Sequence, residues 1–166
     1  MDEKTTTQLH QALKNEDAFA MTIIGIYYID NGTNQNDIDQ GFKIIYHSGI
    51  SKNCIFAKNI LMGLRANKDF IRPILKCTLV ESDALEQLRI YAVSGNMWAM
   101  TVYGNLLYTG YSNPQNKEEG AKYLNMAADR MCYLALELIE DYGIIREPQP
   151  TFGKIYDALK NKDYSK

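Results

Sequence analysis

The chain has 166 residues, of which 46% are hydrophobic and 23% charged, and its formal net charge is −2. This length is enough for one domain with its own apolar core, so we expect folding without disulfide staples. The small negative charge, with both signs spread along the chain, argues against nucleic-acid binding, which depends on clustered Lys and Arg. No apolar run approaches the roughly 20 residues that a membrane-spanning helix requires.

The N-terminus and the cysteines bear on the compartment. The first residues, MDEKTTTQLHQ, are acidic and polar, unlike the basic start and apolar middle of a signal peptide, so we predict a cytoplasmic protein without membrane association. Cys54, Cys77 and Cys132 are odd in number and widely spaced, with no CxxC pair. This pattern favours small buried side chains over a disulfide framework or a zinc site.

Apolar residues recur at helical spacing along the chain, and no stretch alternates as a strand does, which predicts an all-α fold. The predicted helices cover residues 5–15, 17–29, 38–48, 52–66, 74–80, 82–94, 131–142 and 151–160, with two more between 95 and 129. We expect Asp37 to cap the third helix and Gly49 to end it, and Gly32 to close the second helix in the left-handed conformation. Pro73 predicts a break inside an irregular insertion at 67–80.

The strongest internal signal is a repeat. Residues 20–22 (Ala-Met-Thr) followed by Gly25 match residues 99–101 followed by Gly104, residue for residue. Each copy then runs on to a glycine that ends its helix, Gly110 in the second copy. The 79-residue offset holds two units of about 40 residues, which is within the range of helical solenoids.

The fullest copy of the repeat lies between residues 95 and 129. Its patterned residues are Ala99, Tyr103-Gly104, Leu107, Gly110, Glu119-Gly120, Tyr123-Leu124 and Ala127-Ala128. This pattern resembles the Sel-one-like repeat family, a relative of the tetratricopeptide repeats. The copies are degenerate: the loop after Gly110 lacks the second glycine of the family, and Met131 stands where the next unit should begin with glycine.

The resemblance implies a right-handed α-α solenoid of about four antiparallel helix pairs, folded as a single domain. The implied units are an N-terminal half unit at 5–15 and pairs at about 17–49, 52–95, 96–129 and 130–162, all within one domain at 1–166. Alanine and glycine allow helices to approach closely, so these motif residues are assigned to the scaffold and not to function.

Catalysis has little support in the sequence. His10 and His47 lie in different units without a recognisable partner, and a general base needs one. Asp37 and Asp39 are better explained as compensation of a helix N-terminus than as a carboxylate pair. No phosphate loop, nucleophile elbow or HExxH motif occurs. We therefore predict no catalytic residue, no metal site, no cofactor and no enzymatic activity.

A stripe of large side chains directly precedes the repeat alanines and is not required by the family pattern. Its members are Phe19, Phe56, Trp98 and Leu134, continued at helical spacing by Ile23 and Ile26 in the first unit and by Val102, Asn105 and Thr109 beside Trp98. One interpretation is a concave apolar strip that binds a partner, with Trp98 as its anchor. The other is core, which is the more common fate of aromatic residues at helical spacing.

A second candidate is the acidic cluster of Glu137, Glu140, Asp141 and Glu147. It would either steer a basic protein partner towards the chain or form an ordinary solvated helix face. Together with Trp98, Val102, Asn105, Thr109, Phe19, Ile23 and Phe56, the residues Glu137, Glu140 and Asp141 make up the predicted partner-binding set.

These observations favour a non-catalytic module whose partner is another protein. Within that class, one version is a small cytosolic immunity or inhibitor protein that neutralises a toxin, and the alternative is a general adaptor of the repeat family. A composition rich in Tyr, Asn, Ile and Lys is compatible with the first version. A third alternative, from another class, is an enzyme or small-ligand binder with a pocket near the 67–80 insertion, beside His47 or Asp69.

Overall fold

The computed structural model describes residues 1–66, 73–111 and 114–146. This part of the chain is built from helices and contains no strand, which confirms the all-α prediction. None of the helices it describes is long and apolar enough to cross a membrane.

The helices are α1 (Glu3–Lys14), α2 (Ala18–Asn31), α3 (Gln35–Tyr46), α4 (Ile55–Ala66), α5 (Ile74–Cys77), α6 (Ser82–Val93), α7 (Met97–Thr109), α8 (Lys117–Asp129) and α9 (Tyr133–Asp141), with a π-helical turn at His47–Ser51. The predicted bounds of these helices differ from the observed ones by three residues at most. The helix predicted at 151–160 lies outside the described residues.

The predicted helix ends at the second and third helices are wrong in detail. Asn34, not Asp37, caps α3: its side chain accepts a hydrogen bond from the Asp37 amide, so the helix starts earlier than expected. Gly32 follows α2 with extended backbone (φ −64°, ψ 130°) and not in the left-handed conformation. Glycine fits there because a Cβ would lie 2.6 Å from the Tyr28 carbonyl oxygen. Gly49 lies inside the π-helical turn.

The helices form an inner and an outer set. Short turns join α2 to α3, α6 to α7 and α8 to α9, so consecutive helices pack side by side and antiparallel. The inner helices α2, α4, α7 and α9 also touch one another, whereas α1, α3, α6 and α8 lie outside them. This consecutive packing is that of a solenoid; the hand of the superhelix and the division into units remain predictions.

Two glycine pairs explain why the two matched copies fold alike. A Cβ on Gly104 of α7 would lie 2.9 Å from the Gly120 carbonyl oxygen of α8, and a Cβ on Gly120 would lie 2.8 Å from that of Gly104. Gly25 of α2 and Gly41 of α3 make the same reciprocal contact, at 2.9 and 2.7 Å. Helix backbones approach this closely only where no side chain stands between them.

The array closes on itself through α1. This first helix packs against both α2 and the last described helix, α9. Glu137 of α9 accepts hydrogen bonds from the Asp2 amide and from the Thr5 hydroxyl. Gln8 donates to the Met131 carbonyl (2.7 Å) and accepts from the amide of Tyr133 (2.9 Å). Helix α1 thus takes the place of an outer helix beside α9.

Four equivalent turns lead from an outer helix into an inner one, and each contains one residue with positive φ. These residues are Glu16 (57°), Asn53 (54°), Gly95 (105°) and Met131 (62°). A non-glycine residue in this conformation is strained by roughly 1–2 kcal/mol. Met131, at the place where the sequence pattern expects glycine, carries that strain.

Candidate functional site

The aromatic stripe lies in the core. Trp98 and Phe19 are each 3% exposed, Val102 is 4% exposed and Phe56 is fully buried. In the described part of the chain, the contacts among the inner helices enclose most of the large side chains of the stripe. A partner therefore has no access to Trp98 in this structure, and the second interpretation of the stripe, as core, accounts for its burial.

The remaining members of the predicted set on these helices are partly exposed. Ile23, Asn105 and Thr109 are neither fully buried nor fully exposed. The Asn105 carboxamide oxygen accepts a hydrogen bond from the Tyr142 hydroxyl at 2.5 Å. Burial raises the pKa of Tyr142 to about 12, so this hydroxyl keeps its proton and remains a donor at neutral pH. The Thr109 hydroxyl donates to the Asn105 carbonyl, inside its own helix.

A cavity of about 190 Å³ lies between the inner helices. Its walls include six residues of the predicted stripe, namely Ile23, Ile26, Phe56, Val102, Asn105 and Leu134, with Asp30 and Leu75 also present. Leu75 belongs to α5, within the 67–80 insertion where the third alternative places a ligand pocket. Residues 67–72, which include Asp69, lie outside the described part.

The acidic cluster does not act as one patch. Glu137 is partly buried and holds α1 through two hydrogen bonds. Glu140 and Asp141 are exposed, and Glu147 lies outside the described residues. Glu137 therefore helps to hold α1 against α9. The sequence did not indicate this role, because Asp2 and Thr5 lie at the other end of the chain.

The two matched copies meet through their helix caps. Asp17 accepts hydrogen bonds from the Phe19 and Ala20 amides at the start of α2, and Asn96 accepts from the equivalent amides at the start of α7. The Asn96 amide nitrogen then donates to the Asp17 carboxylate at 2.8 Å. An Asp or Asn three residues before Ala20 and before Ala99 is the sequence signal that could have predicted these two caps.

Cys54 and Cys132 occupy the same cap position at the start of α4 and α9. Both are buried free thiols, as the sequence predicts, and the side chain of Cys77 is outside the described set. Burial raises the pKa of each thiol, although the hydroxyls of Thr22 and Thr101 lie 3.9 and 3.3 Å from the respective sulfur atoms. Raised pKa and lack of access make them poor nucleophiles.

The two histidines lie in separate local environments. His10 Nδ1 lies 2.8 Å from the Thr6 carbonyl oxygen of its own helix. His47 Nε2 lies 3.6 Å from the exposed Glu16 carboxylate, whose pKa is lowered first by the hydrogen bond from Lys52. Among the residues that the structure describes, no group of three His, Cys, Asp or Glu side chains is placed to hold a metal ion.

The end of the array that carries the four equivalent turns is one continuous surface, which we call the turn face. It consists of residues 15–17, 46–54, 90–96 and 130–132. Lys52 reaches Glu16 at 2.8 Å, which joins the first two turns. Asn96 bonds to Asp17, and the Arg130 guanidinium lies 3.6 Å from where a Cβ on Gly95 would stand. The four turns are therefore close enough to contact one partner together.

Large apolar side chains are exposed on the turn face. Ile50 is 55% exposed, Val93 is 63% exposed and Met131 is 59% exposed. Tyr46, Ile90 and Tyr91 are each about half exposed on the same surface. Single exposed apolar residues are ordinary, but a set on one end surface, mixed with charged groups, is typical of a protein-binding site.

Comparison of the chain with family models, with curated proteins and with solved structures gives no match.

Proposed function

We propose that this chain is a non-catalytic protein-binding module that docks its partner on the turn face. The observation that carries the proposal is the exposure of Ile50, Val93 and Met131 on one end surface, while the aromatic residues of the predicted stripe are buried. Apolar side chains ringed by charged ones are what a docked protein partner desolvates. The charged groups here include Glu16 and Lys52.

The backbone conformation of Met131 is a second observation that favours the turn face as the binding surface. Met131 combines a φ of 62° with 59% exposure. Folding alone would favour glycine or asparagine at that φ, because an exposed Met side chain returns little of the strain energy. Strained residues often mark functional positions, so a side chain held in this way is a natural contact for a partner.

The narrower proposal is an immunity or inhibitor protein that neutralises a toxin, and the alternative is a general adaptor. The degenerate repeats support the first, as does a closed array that offers one end to one partner. Co-expression with a toxin encoded next to this chain distinguishes the two. If the wild-type chain restores growth and turn-face variants do not, the chain is an inhibitor of the toxin. If the toxin is equally lethal with and without the chain, the adaptor is favoured.

Charge substitutions on the turn face test the docking proposal. We expect Ile50→Glu and Val93→Glu to weaken partner binding at least tenfold each, since a carboxylate would be buried against an apolar partner surface. Binding is measured by calorimetry with the partner that the wild-type chain retains on affinity purification. Thermal unfolding should change little, because both positions are exposed.

The matched controls are Leu79→Glu and Ile145→Glu. These leucine and isoleucine side chains are 71% and 78% exposed and lie away from the turn face. Full binding by the controls, with loss in the turn-face variants, is the expected result. Loss of binding in the controls alone, or full binding by all four variants, would remove the turn face as the site.

A further inference from the structure

The lining and volume of the cavity between the inner helices indicate which kind of molecule could bind there. Its walls are apolar over most of their area, with Ile23, Phe56, Val102, Leu134 and Leu138 facing it. Its volume of about 190 Å³ exceeds the roughly 150 Å³ of an engineered apolar cavity that binds benzene. A molecule of about six to ten non-hydrogen atoms therefore fits the space.

The cavity is reachable from the end opposite the turn face. Met1, which is 43% exposed, and the exposed Asn31 are both part of its lining. Asn31 ends α2, whereas the turn face includes the start of that helix. Ile23, Leu134 and Leu138 are only partly buried although they belong to inner helices, as expected for walls that retain contact with solvent.

One polar group in the lining is free to recognise a ligand. The Asn105 carboxamide oxygen is taken by the Tyr142 hydroxyl, but nothing among the described residues accepts a hydrogen bond from the Asn105 amide nitrogen. A ligand oxygen, such as that of a carbonyl group, could accept a hydrogen bond from this amide nitrogen. An ionised ligand would lose its hydration against the apolar walls, so a neutral ligand is favoured over an anionic one.

We propose that this cavity is a binding site for a small neutral molecule with an apolar or aromatic body and one hydrogen-bond acceptor, which the Asn105 amide nitrogen recognises. The site goes beyond protein docking on the turn face and lies at the opposite end. Either activity can therefore be lost without the other.

Three probes of similar size separate the elements of the proposal. Acetophenone is neutral and has a carbonyl acceptor, isopropylbenzene lacks the acceptor, and benzoate is anionic. At millimolar concentration, acetophenone should raise the melting temperature of the wild-type chain most. Its dissociation constant should be about three- to tenfold lower than that of isopropylbenzene, the range expected for one net hydrogen bond. Benzoate should bind most weakly.

Variants locate the binding. Leu138→Trp and Val102→Phe place bulk in the cavity and should abolish the shift with acetophenone, whereas Ile90→Trp, at a 49% exposed position on α6, should keep it. Asn105→Ala should bring the two neutral probes to equal affinity. Nuclear Overhauser contacts from bound acetophenone to the Val102 and Leu138 methyl groups are expected in the wild-type chain.

The proposal is overturned if neither neutral probe binds the wild-type chain, or if bound acetophenone shows no contact with those methyl groups. Undiminished binding in a folded cavity-filling variant would have the same meaning. Benzoate binding as tightly as acetophenone would overturn the preference for a neutral ligand. All of these measurements use the chain without a protein partner, so their failure leaves docking on the turn face unaffected.

Discussion

Replacing Trp98 with alanine should lower the free energy of unfolding by about 3–5 kcal/mol, the range for truncating a buried large aromatic side chain. Trp98 is 3% exposed and sits in the core with the residues of the neighbouring inner helices. The loss would be a large part of the roughly 5–15 kcal/mol that stabilises a typical domain. Urea unfolding followed by circular dichroism measures it.

The control for this substitution is Val93→Ala, at an apolar position that is 63% exposed. It should change the free energy of unfolding by no more than about 0.5 kcal/mol. Because Trp98 is the only tryptophan, wild-type fluorescence should be blue-shifted and resist quenching by acrylamide. If the Trp98→Ala variant unfolds like the wild-type chain but no longer binds a protein partner, Trp98 is an exposed binding residue and not part of the core.

Replacing Gly120 with alanine should destabilise the chain by about 3 kcal/mol, although alanine is the better helix former. A Cβ at Gly120 would lie 2.6 Å from the Tyr108 amide nitrogen and 2.8 Å from the Gly104 carbonyl oxygen. These are backbone atoms of α7, so the clash is relieved only by moving one whole helix away from the other. Overpacking of this kind costs about 1–3 kcal/mol, and rigid neighbours place it at the upper end.

Gly63→Ala in α4 is the matched control. A Cβ there would meet only side-chain atoms of Thr78, at 3.3 Å and beyond. Without a backbone clash, the free energy of unfolding should change by less than about 1 kcal/mol, because the higher helix propensity of alanine offsets a small shift of the Thr78 side chain. Equal effects of Gly120→Ala and Gly63→Ala in urea unfolding would show that the close crossing of α7 and α8 is absent.

The helices could be predicted from the sequence because they are determined by residues close to one another in the chain. The match of Gly25 with Gly104 marks the two close helix crossings, and the apolar spacing around Ala20 and Ala99 marks the inner helices. The misplaced start of α3 came from choosing Asp37 over Asn34, two capping residues of similar strength. Such errors move a helix end and leave the architecture unchanged.

The candidate site could not be predicted in the same way, because exposure depends on how far the array curves. The curvature of the array is the sum of small rotations between successive repeats, and the sequence pattern does not give the size of these rotations. Whether Trp98 faces solvent was decided by contacts such as Gln8 with Tyr133, between residues far apart in the chain. The positive φ of Glu16 and Asn53 was also missed, since neither residue is glycine. Met131 alone was visible as a departure from the repeat pattern.

Helix α1 closes the array against α9, and hydrogen exchange of a Glu137→Ala variant tests this closure most directly. Glu137 is the acceptor for the Thr5 hydroxyl, and Thr5 is fully buried. An unsatisfied buried hydroxyl costs roughly 1–3 kcal/mol, so amide protection in α1 should fall about 5- to 150-fold while α8 is unchanged. Glu140→Ala, an exposed change on the same helix, should leave α1 protected. Equal protection of α1 in both variants, or an unprotected α1 in the wild-type chain, would contradict the closure and reopen the inner face to a partner.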